Sequence, residues 1–260
     1  MKTLRFVIAT LSSGAIAGIF LGLIHQAFEE PFIDKAIAIE TQGDIAKGES
    51  IDLTKQAQYR VWQKGGEIVA AAIYGMSLSS LFGIVFAYSR GSLPGLNNKR
   101  KALFLAAIMF FVIFLIPALK YPPNPPAVGN PSTIYYREIL YIIFIAVSGF
   151  SALVLASSYK KLKTYLSEKI TIASSSSMLG IFPPMIIYAM VTLCTYLVLP
   201  PNPDKAAIPM NLIMSFRIAS ILTMGLFWGI LGMIVGLFWD RFKFHEINKL
   251  QPSDDFLNQE

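Results

Sequence analysis

Charged residues are scarce in this sequence, and hydrophobic residues are abundant. Among its 260 residues 15% are charged and 54% are hydrophobic, whereas about a quarter of the residues in a soluble domain are charged. This composition excludes an ordinary soluble domain and indicates an integral membrane protein. The net charge of +6 would favour a nucleic-acid partner only if the cations were clustered on a soluble domain. They lie instead between apolar runs, as in membrane proteins, so we expect a lipid bilayer and no nucleic acid as partner.

Cysteine and histidine are also rare, which excludes several kinds of site. The single cysteine, Cys194, allows no intramolecular disulfide and no CxxC metal site. The two histidines, His25 and His245, lie far apart in the sequence. The chain has no GxxxxGKS or GxxxxGKT phosphate-binding loop and no HExxH zinc motif. We therefore expect no enzyme and no tightly bound cofactor, and a membrane enzyme acting on a lipid is the least favoured alternative.

Six apolar runs are each long enough to cross about 30 Å of hydrocarbon, which takes about 20 helical residues. They predict an all-α integral membrane protein with six transmembrane helices arranged as three hairpins. The polytopic membrane domain is residues 1–240, and a short cytoplasmic tail, 241–260, follows it. The predicted spans are 4–28, 67–89, 102–120, 138–159, 178–199 and 214–239. The first run begins like a signal peptide, but its length favours an uncleaved span.

Lysine and arginine fall mostly on one side of these spans. More than half of the 22 lie before the first run, in the 90–101 and 160–177 connectors, or after the last run. The positive-inside rule assigns such segments to the cytoplasm. We therefore predict a multi-pass protein of the cell (plasma) membrane with both termini cytoplasmic and the other connectors outside.

Small residues recur at intervals of three or four in three of the runs. Such stripes predict close helix–helix contacts, because lipid supplies no hydrophobic drive between helices and small side chains let the backbones approach. The stripes are Gly14, Gly18 and Gly22 in the first run, Gly75, Ser79 and Gly83 in the second, and Gly225, Gly229, Gly232 and Gly236 in the last.

Prolines are concentrated in two of the predicted outer connectors. The longer one, KYPPNPPAVGNPSTIYYR at 120–137, has five prolines. It excludes a helix, because proline lacks the amide donor and clashes with the preceding turn. A shorter copy, LPPNPD, lies at 199–204. Asn124 and Asn202 offer neutral oxygen ligands in these connectors. The alternative is that the prolines only end the helices and stiffen the outer face.

An arginine stands near the start of the helix that follows each proline connector. These residues, Arg137 and Arg217, are expected to hold the loops by donating hydrogen bonds to their carbonyls. The alternative is that each arginine only extends its side chain to the membrane interface.

Ionisable residues close the first apolar run. His25 and Glu29 are four residues apart and share one helical face, Glu30 follows, and Asp34 lies just beyond Pro31. An imidazole with carboxylates suits cobalt, nickel or zinc, and ionisable residues in a membrane usually have a function. The four residues His25, Glu29, Glu30 and Asp34 are therefore the candidate metal ligands. The alternative is that His25 lies at the headgroup level and only forms a hydrogen bond there.

Three motifs carry a resemblance to a known family. EEPFIDKAIAIE after the first run, FLIPALKYPPNPPAVGNPSTIYYRE in the middle, and SFRIAS before a glycine-rich last helix resemble the CbtA family of predicted cobalt transporter subunits. The resemblance implies a membrane protein linked to cobalt supply for cobalamin, with a small single-span partner, CbtB, that carries a histidine-containing metal motif. The motif positions in this chain are Glu30, Pro31, Asp34, Glu40, Lys120, Pro122, Asn124, Pro125, Pro126, Gly129, Arg137 and Arg217.

These observations favour a membrane permease subunit for uptake of Co²⁺, a divalent cation that the chain transports and does not retain. Acidic outer segments would raise the local cation concentration. The alternative is a non-transporting scaffold subunit of a larger membrane complex, in which the proline connectors are docking surfaces.

Overall fold

The structure is a computed structural model that describes residues 2–169, 182–202 and 206–242. Its described residues form helices and connecting loops, without a strand. They include a π-helical turn, Phe110–Leu115, and a 3₁₀ turn, Pro131–Thr133. The α-helices are α1 (Lys2–Phe28), α2 (Glu30–Ala46), α3 (Leu53–Ser89), α4 (Asn98–Met109), α5 (Ile116–Lys120), α6 (Ile134–Lys169), α7 (Phe182–Val198) and α8 (Met210–Arg241).

Five helical stretches of the described residues are long and apolar enough to cross a membrane. They are Thr3–Phe28, Leu53–Ser89, Asn98–Lys120, Pro131–Ser158 and Met210–Arg241. Each overlaps a predicted span, so the prediction of a membrane-type all-α chain is confirmed. The remaining apolar helix, Pro183–Val198, is shorter, and the predicted span 178–199 begins outside the described residues. The predicted tail, 241–260, also lies outside them apart from its first two residues.

Helix α3 begins much earlier than the apolar run that predicted it. Its first residue is Leu53 rather than residue 67, because Asp52 caps the helix. The Asp52 carboxylate accepts hydrogen bonds from the amides of Thr54 and Lys55, both at 3.1 Å. Such a cap satisfies amide groups that have no partner within the helix. A polar first part therefore precedes the apolar part of α3.

A single residue, Glu29, separates α1 from α2. Pro31 lies in the first turn of α2, where its missing amide hydrogen costs nothing. The carbonyl of Glu29 accepts the amides of Phe32 at 2.9 Å and Ile33 at 3.1 Å, so the new helix starts at once. A separate helix, α2, therefore follows the first apolar run.

The π-helical turn lies directly before Pro117. Proline cannot donate a hydrogen bond to the carbonyl four residues earlier, and a π turn is one way in which a helix absorbs such a defect. The buried hydroxyl of Ser148 donates to the carbonyl of Val112 within this turn at 2.6 Å. The Tyr188 hydroxyl lies 2.7 Å from the Ser148 oxygen.

The chain divides into two compact units. The first consists of Met1–Ala27, Asp52–Ala107 and Gly225–Glu260, and the second of Phe28–Ile51 and Ile108–Met224.

In the first unit, α1 and α3 pack backbone to backbone. A methyl group added at Gly14 would overlap the backbone of Gly75, and one at Gly18 would overlap the backbone of Ala71. The Ser79 hydroxyl donates to the carbonyl of Thr10 at 2.6 Å across this contact. The predicted role of the glycine stripes in α1 and α3 is therefore confirmed.

A second close contact of the first unit joins α4 to the end of α8. A methyl group at Gly232 would lie 2.7 Å from the Ala106 methyl group, and one at Gly236 would lie 2.6 Å from the backbone of Lys99. By contrast, nothing lies within 4 Å of such a group at Gly229. In the stripe of the last run, Gly232 and Gly236 are therefore at a close helix contact, and Gly229 is not.

In the second unit, the two proline connectors meet. Val128 and Ala206 form an isolated antiparallel bridge, and the Tyr121 hydroxyl donates to the carbonyl of Pro200 at 2.6 Å. Burial raises the pKa of the Tyr121 phenol, so this donor keeps its proton at neutral pH. A small apolar cluster, with Ile208 and Ile213 buried in it, packs against Val128.

Candidate functional site

The most deeply buried carboxylate in the candidate site is that of Glu29, which is 3% exposed. One of its oxygens, Oε2, accepts a hydrogen bond from the Ser220 hydroxyl at 2.6 Å. The other, Oε1, accepts a hydrogen bond from the Thr223 hydroxyl. Both hydroxyl residues are themselves buried, at 4% and 2% exposed. Three oxygen-bearing side chains therefore converge inside the second unit.

Local structure explains how these side chains meet. Glu29 is the single residue between α1 and α2. Ser220 and Thr223 are three residues apart on α8 and so share one face of that helix. Serine and threonine in a helix commonly bond back to the carbonyl of the preceding turn. Ser220 instead donates to the carboxylate of Glu29.

His25 has a different carboxylate partner from those that the sequence predicted. Its Nδ1 lies 3.1 Å from Oε1 of Glu67 on α3, and both residues belong to the first unit. Next to them, the Gln26 amide donates to the carbonyl of Lys64 at 2.6 Å. The pairing of His25 with Glu67 was missed, although Glu67 is the one carboxylate at the start of the second apolar run.

The four predicted metal ligands have different environments. Glu29 and Glu30 are buried, whereas Asp34 is exposed on α2. These three belong to the second unit, and His25 belongs to the first. Among the described residues, no three side chains of His, Cys, Asp or Glu form a group that could hold a metal ion. The four-residue ligand set stays a prediction.

Arg217 contacts the longer proline connector through Asn124. Its Nε and Nη2 donate to Oδ1 of Asn124 at 3.1 and 2.7 Å. The sequence predicted that Arg217 holds a proline loop, and the structure shows that its acceptor is a side-chain amide rather than a carbonyl.

Arg137 holds the same connector through its backbone. Its Nη1 and Nη2 lie 3.3 Å from the carbonyls of Val128 and Asn130 respectively. Gly129 lies between these residues with φ +100°, and a methyl group there would lie 2.5 Å from the guanidinium of Arg137. A glycine is required at this position on both counts, since L-residues rarely adopt positive φ. The prediction that an arginine binds the loop carbonyls is confirmed for Arg137.

The remaining motif residues surround this loop or lie on α2. The Lys120 ammonium lies over the ring of Tyr196, 4.6 Å from its centroid. Pro125 is buried, Pro122 and Asn202 are half-buried, and Pro126 and Glu40 are exposed. Pro203 and Asp204 of the shorter connector lie outside the described residues.

A comparison with protein families identifies the chain. The family model described as CbtA, probable cobalt transporter subunit, matches residues 3–240. No curated protein and no solved structure matches the chain. The family is described as a transporter subunit, which is not a class of enzyme. Since the match covers both proline connectors and all but the last residue of the five membrane-length helical stretches, the chain belongs to the CbtA family of probable cobalt transporter subunits.

Proposed function

We propose that this chain is the membrane permease subunit of a Co²⁺ uptake system. The observation that carries the proposal is the buried carboxylate of Glu29, hydrogen-bonded to two buried hydroxyls on α8. Ionisable groups inside a membrane are costly and are usually retained for transport or proton transfer. A subunit that only positioned other proteins would have no need of one.

The proposed topology is six spans in three hairpins, with both termini in the cytoplasm of a cell and the proline connectors outside. In this arrangement, α7 belongs to the predicted span 178–199, the fifth in chain order. The distribution of lysine and arginine supports the orientation. The contact between the two connectors also supports it, because connectors that pack together belong on the same side of the membrane.

We propose that a small single-span partner of the CbtB kind captures the ion before this chain transports it. The family description as a subunit implies a complex. The chain itself has only two histidines, and imidazole is a preferred ligand of cobalt-like ions. A histidine-containing partner would supply the selectivity, and the transported cobalt would serve cobalamin synthesis.

The second candidate is a non-transporting scaffold subunit. The observation that favours it is the rigid connector surface that Arg137 and Arg217 hold in place, because a docking surface benefits from a fixed backbone. In this function the carboxylate of Glu29 would have no role in cation movement, and the two candidates therefore predict different results for the same variant.

Cobalt accumulation in cells that lack their own importers distinguishes the two candidates. The chain would be expressed with and without the small partner, and its uptake compared with that of cells carrying the empty vector. A permease should raise Co²⁺ uptake, and Glu29→Gln should return uptake to the vector level. The matched control is Glu49→Gln, which changes an exposed carboxylate after α2 and outside the motifs and should leave uptake intact.

Two further variants test the predicted ligand set. His25→Ala and Asp34→Ala should lower uptake if these residues bind the ion. Wild-type uptake equal to that of the vector, with and without the partner, would reject the permease and favour the scaffold.

A further inference from the structure

The two hydroxyls that contact Glu29 have a role that the sequence did not suggest. We infer that Ser220 and Thr223, together with the Glu29 carboxylate, form an oxygen-lined site at which the transported divalent cation binds inside the membrane. The inference rests on the proposed function and adds the ligands of the ion at that stage. Ser220 is the last residue of the SFRIAS motif, whereas Thr223 lies outside the three motifs that carry the family resemblance.

The contact between Ser220 and Glu29 is a charge-assisted hydrogen bond that an ion would have to replace. The Ser220 oxygen lies 2.6 Å from a carboxylate oxygen. In an octahedral site with bonds of about 2.1 Å, neighbouring ligand oxygens are about 3 Å apart. When the hydroxyl and carboxylate oxygens move apart by a few tenths of an ångström, the site therefore has room for an ion. Water completes the coordination of that ion.

The depth of the hydroxyls also supports the inference. Helix α8 has 32 residues and is about 48 Å long, while the hydrocarbon layer is about 30 Å thick. Ser220 and Thr223 lie about 5 and 9 Å along it from Arg217, whose partner Asn124 belongs to the outer connector, so they lie just inside the outer end of the hydrocarbon layer. Hydroxyl and carboxylate oxygens at this depth can replace part of the hydration shell that the ion loses.

The break between α1 and α2 is a second, independent feature. Glu29 lies at this break, outside both helices. In membrane transporters, discontinuous helices commonly form the substrate and ion sites, because irregular backbone is tolerated only where it lines a cavity or is covered by protein. Here the interruption is the single residue Glu29, with φ −100° and ψ −38°, so the candidate site combines a one-residue helix interruption with buried oxygen ligands.

The ligand chemistry indicates a site of passage rather than of storage. Carboxylate and hydroxyl oxygens are harder ligands than the nitrogen and sulfur that bind late first-row metals tightly. Conduction requires binding that is favourable enough for entry and weak enough for release. An all-oxygen site meets this requirement for Co²⁺, and it leaves metal selectivity to other groups.

The test replaces one oxygen ligand by sulfur. Thr223→Cys and Ser220→Cys would each be made in a Cys194→Ser background, so that the new thiol is the only one. The purified protein in detergent would be titrated with CoCl₂. A direct ligand should give a thiolate-to-cobalt charge-transfer absorption, which a hydroxyl that only stabilises the structure cannot give.

The matched control is Thr192→Cys in the same background. Thr192 is also buried, but its hydroxyl lies 2.9 Å from the carbonyl of Tyr188 on its own helix. It should show no charge-transfer band. If Thr223→Cys and Ser220→Cys both give spectra identical to this control, the site is rejected.

Transport provides a second readout. Sulfur is a soft ligand, so Cd²⁺ should inhibit Co²⁺ uptake by the Thr223→Cys variant at a concentration about tenfold lower than for the Thr192→Cys control. Thr223→Ser should retain uptake, because it keeps the hydroxyl, and Thr223→Val should lose it. Equal Cd²⁺ sensitivity in the two cysteine variants would contradict the inference.

The two proposals can fail separately. A charge-transfer band in Thr223→Cys without uptake by the wild-type chain would reject the permease and leave the cation site. Uptake by the wild-type chain without a band in either cysteine variant would reject the site and leave the permease.

Discussion

Arg217 and Asn124 should be energetically coupled, although they are 93 positions apart in the sequence. Two guanidinium nitrogens donate to one amide oxygen at 3.1 and 2.7 Å. A hydrogen bond to a charged group contributes about 1.5–3 kcal/mol. Because both bonds share one acceptor and the pair is only half-buried, we expect the lower end, a coupling free energy of about 1.5 kcal/mol, or about tenfold in an equilibrium constant.

A double-mutant cycle measures this coupling. The free energies of unfolding of the wild type, Arg217→Ala, Asn124→Ala and the double variant would be determined by denaturant titration in detergent. The control cycle combines Arg217→Ala with Asn98→Ala, whose amide contacts Asp240 in the first unit. That cycle should be additive within about 0.5 kcal/mol. Additivity of the Arg217 and Asn124 changes to the same limit would refute the expected coupling.

Two further predictions concern packing and pH. Gly14→Leu and Gly75→Leu should each destabilise the first unit by about 3 kcal/mol, since even a methyl group would overlap the facing backbone. Gly229→Leu, where nothing lies within 4 Å, should change thermal stability little, and equal losses at all three glycines would contradict the packing. Burial raises the pKa of the Tyr121 phenol above 10. The stabilisation from its hydrogen bond to Pro200 is therefore complete below pH 10, and it is lost as the pH rises through the raised pKa. Tyr121→Phe should remove this alkaline loss from a stability–pH profile, and an unchanged profile would exclude the hydrogen bond as its cause.

The membrane class and most helices could be predicted from the sequence because both depend on local composition. In a bilayer, an apolar run of about 20 residues can satisfy its backbone hydrogen bonds only as a helix. Glycines at intervals of four in α1 predict a close contact whichever helix provides the partner. The early start of α3 was missed because the apolar run begins only at residue 67, whereas the cap that starts the helix lies at Asp52. The π turn before Pro117 was missed because a proline defect can be absorbed in several ways.

The arrangement of the candidate site was decided by the tertiary structure. The sequence singled out His25 and Glu29 as ionisable residues at the end of an apolar run. Their hydrogen-bond partners lie 42 positions away for His25, at Glu67, and 191 and 194 positions away for Glu29, at Ser220 and Thr223. Hydroxyls in a membrane helix usually bond to their own backbone, so their pattern in the sequence does not distinguish a ligand from a packing residue. Composition and spacing thus determined what kind of protein this is, while the packing of distant helices determined which oxygens surround its buried carboxylate.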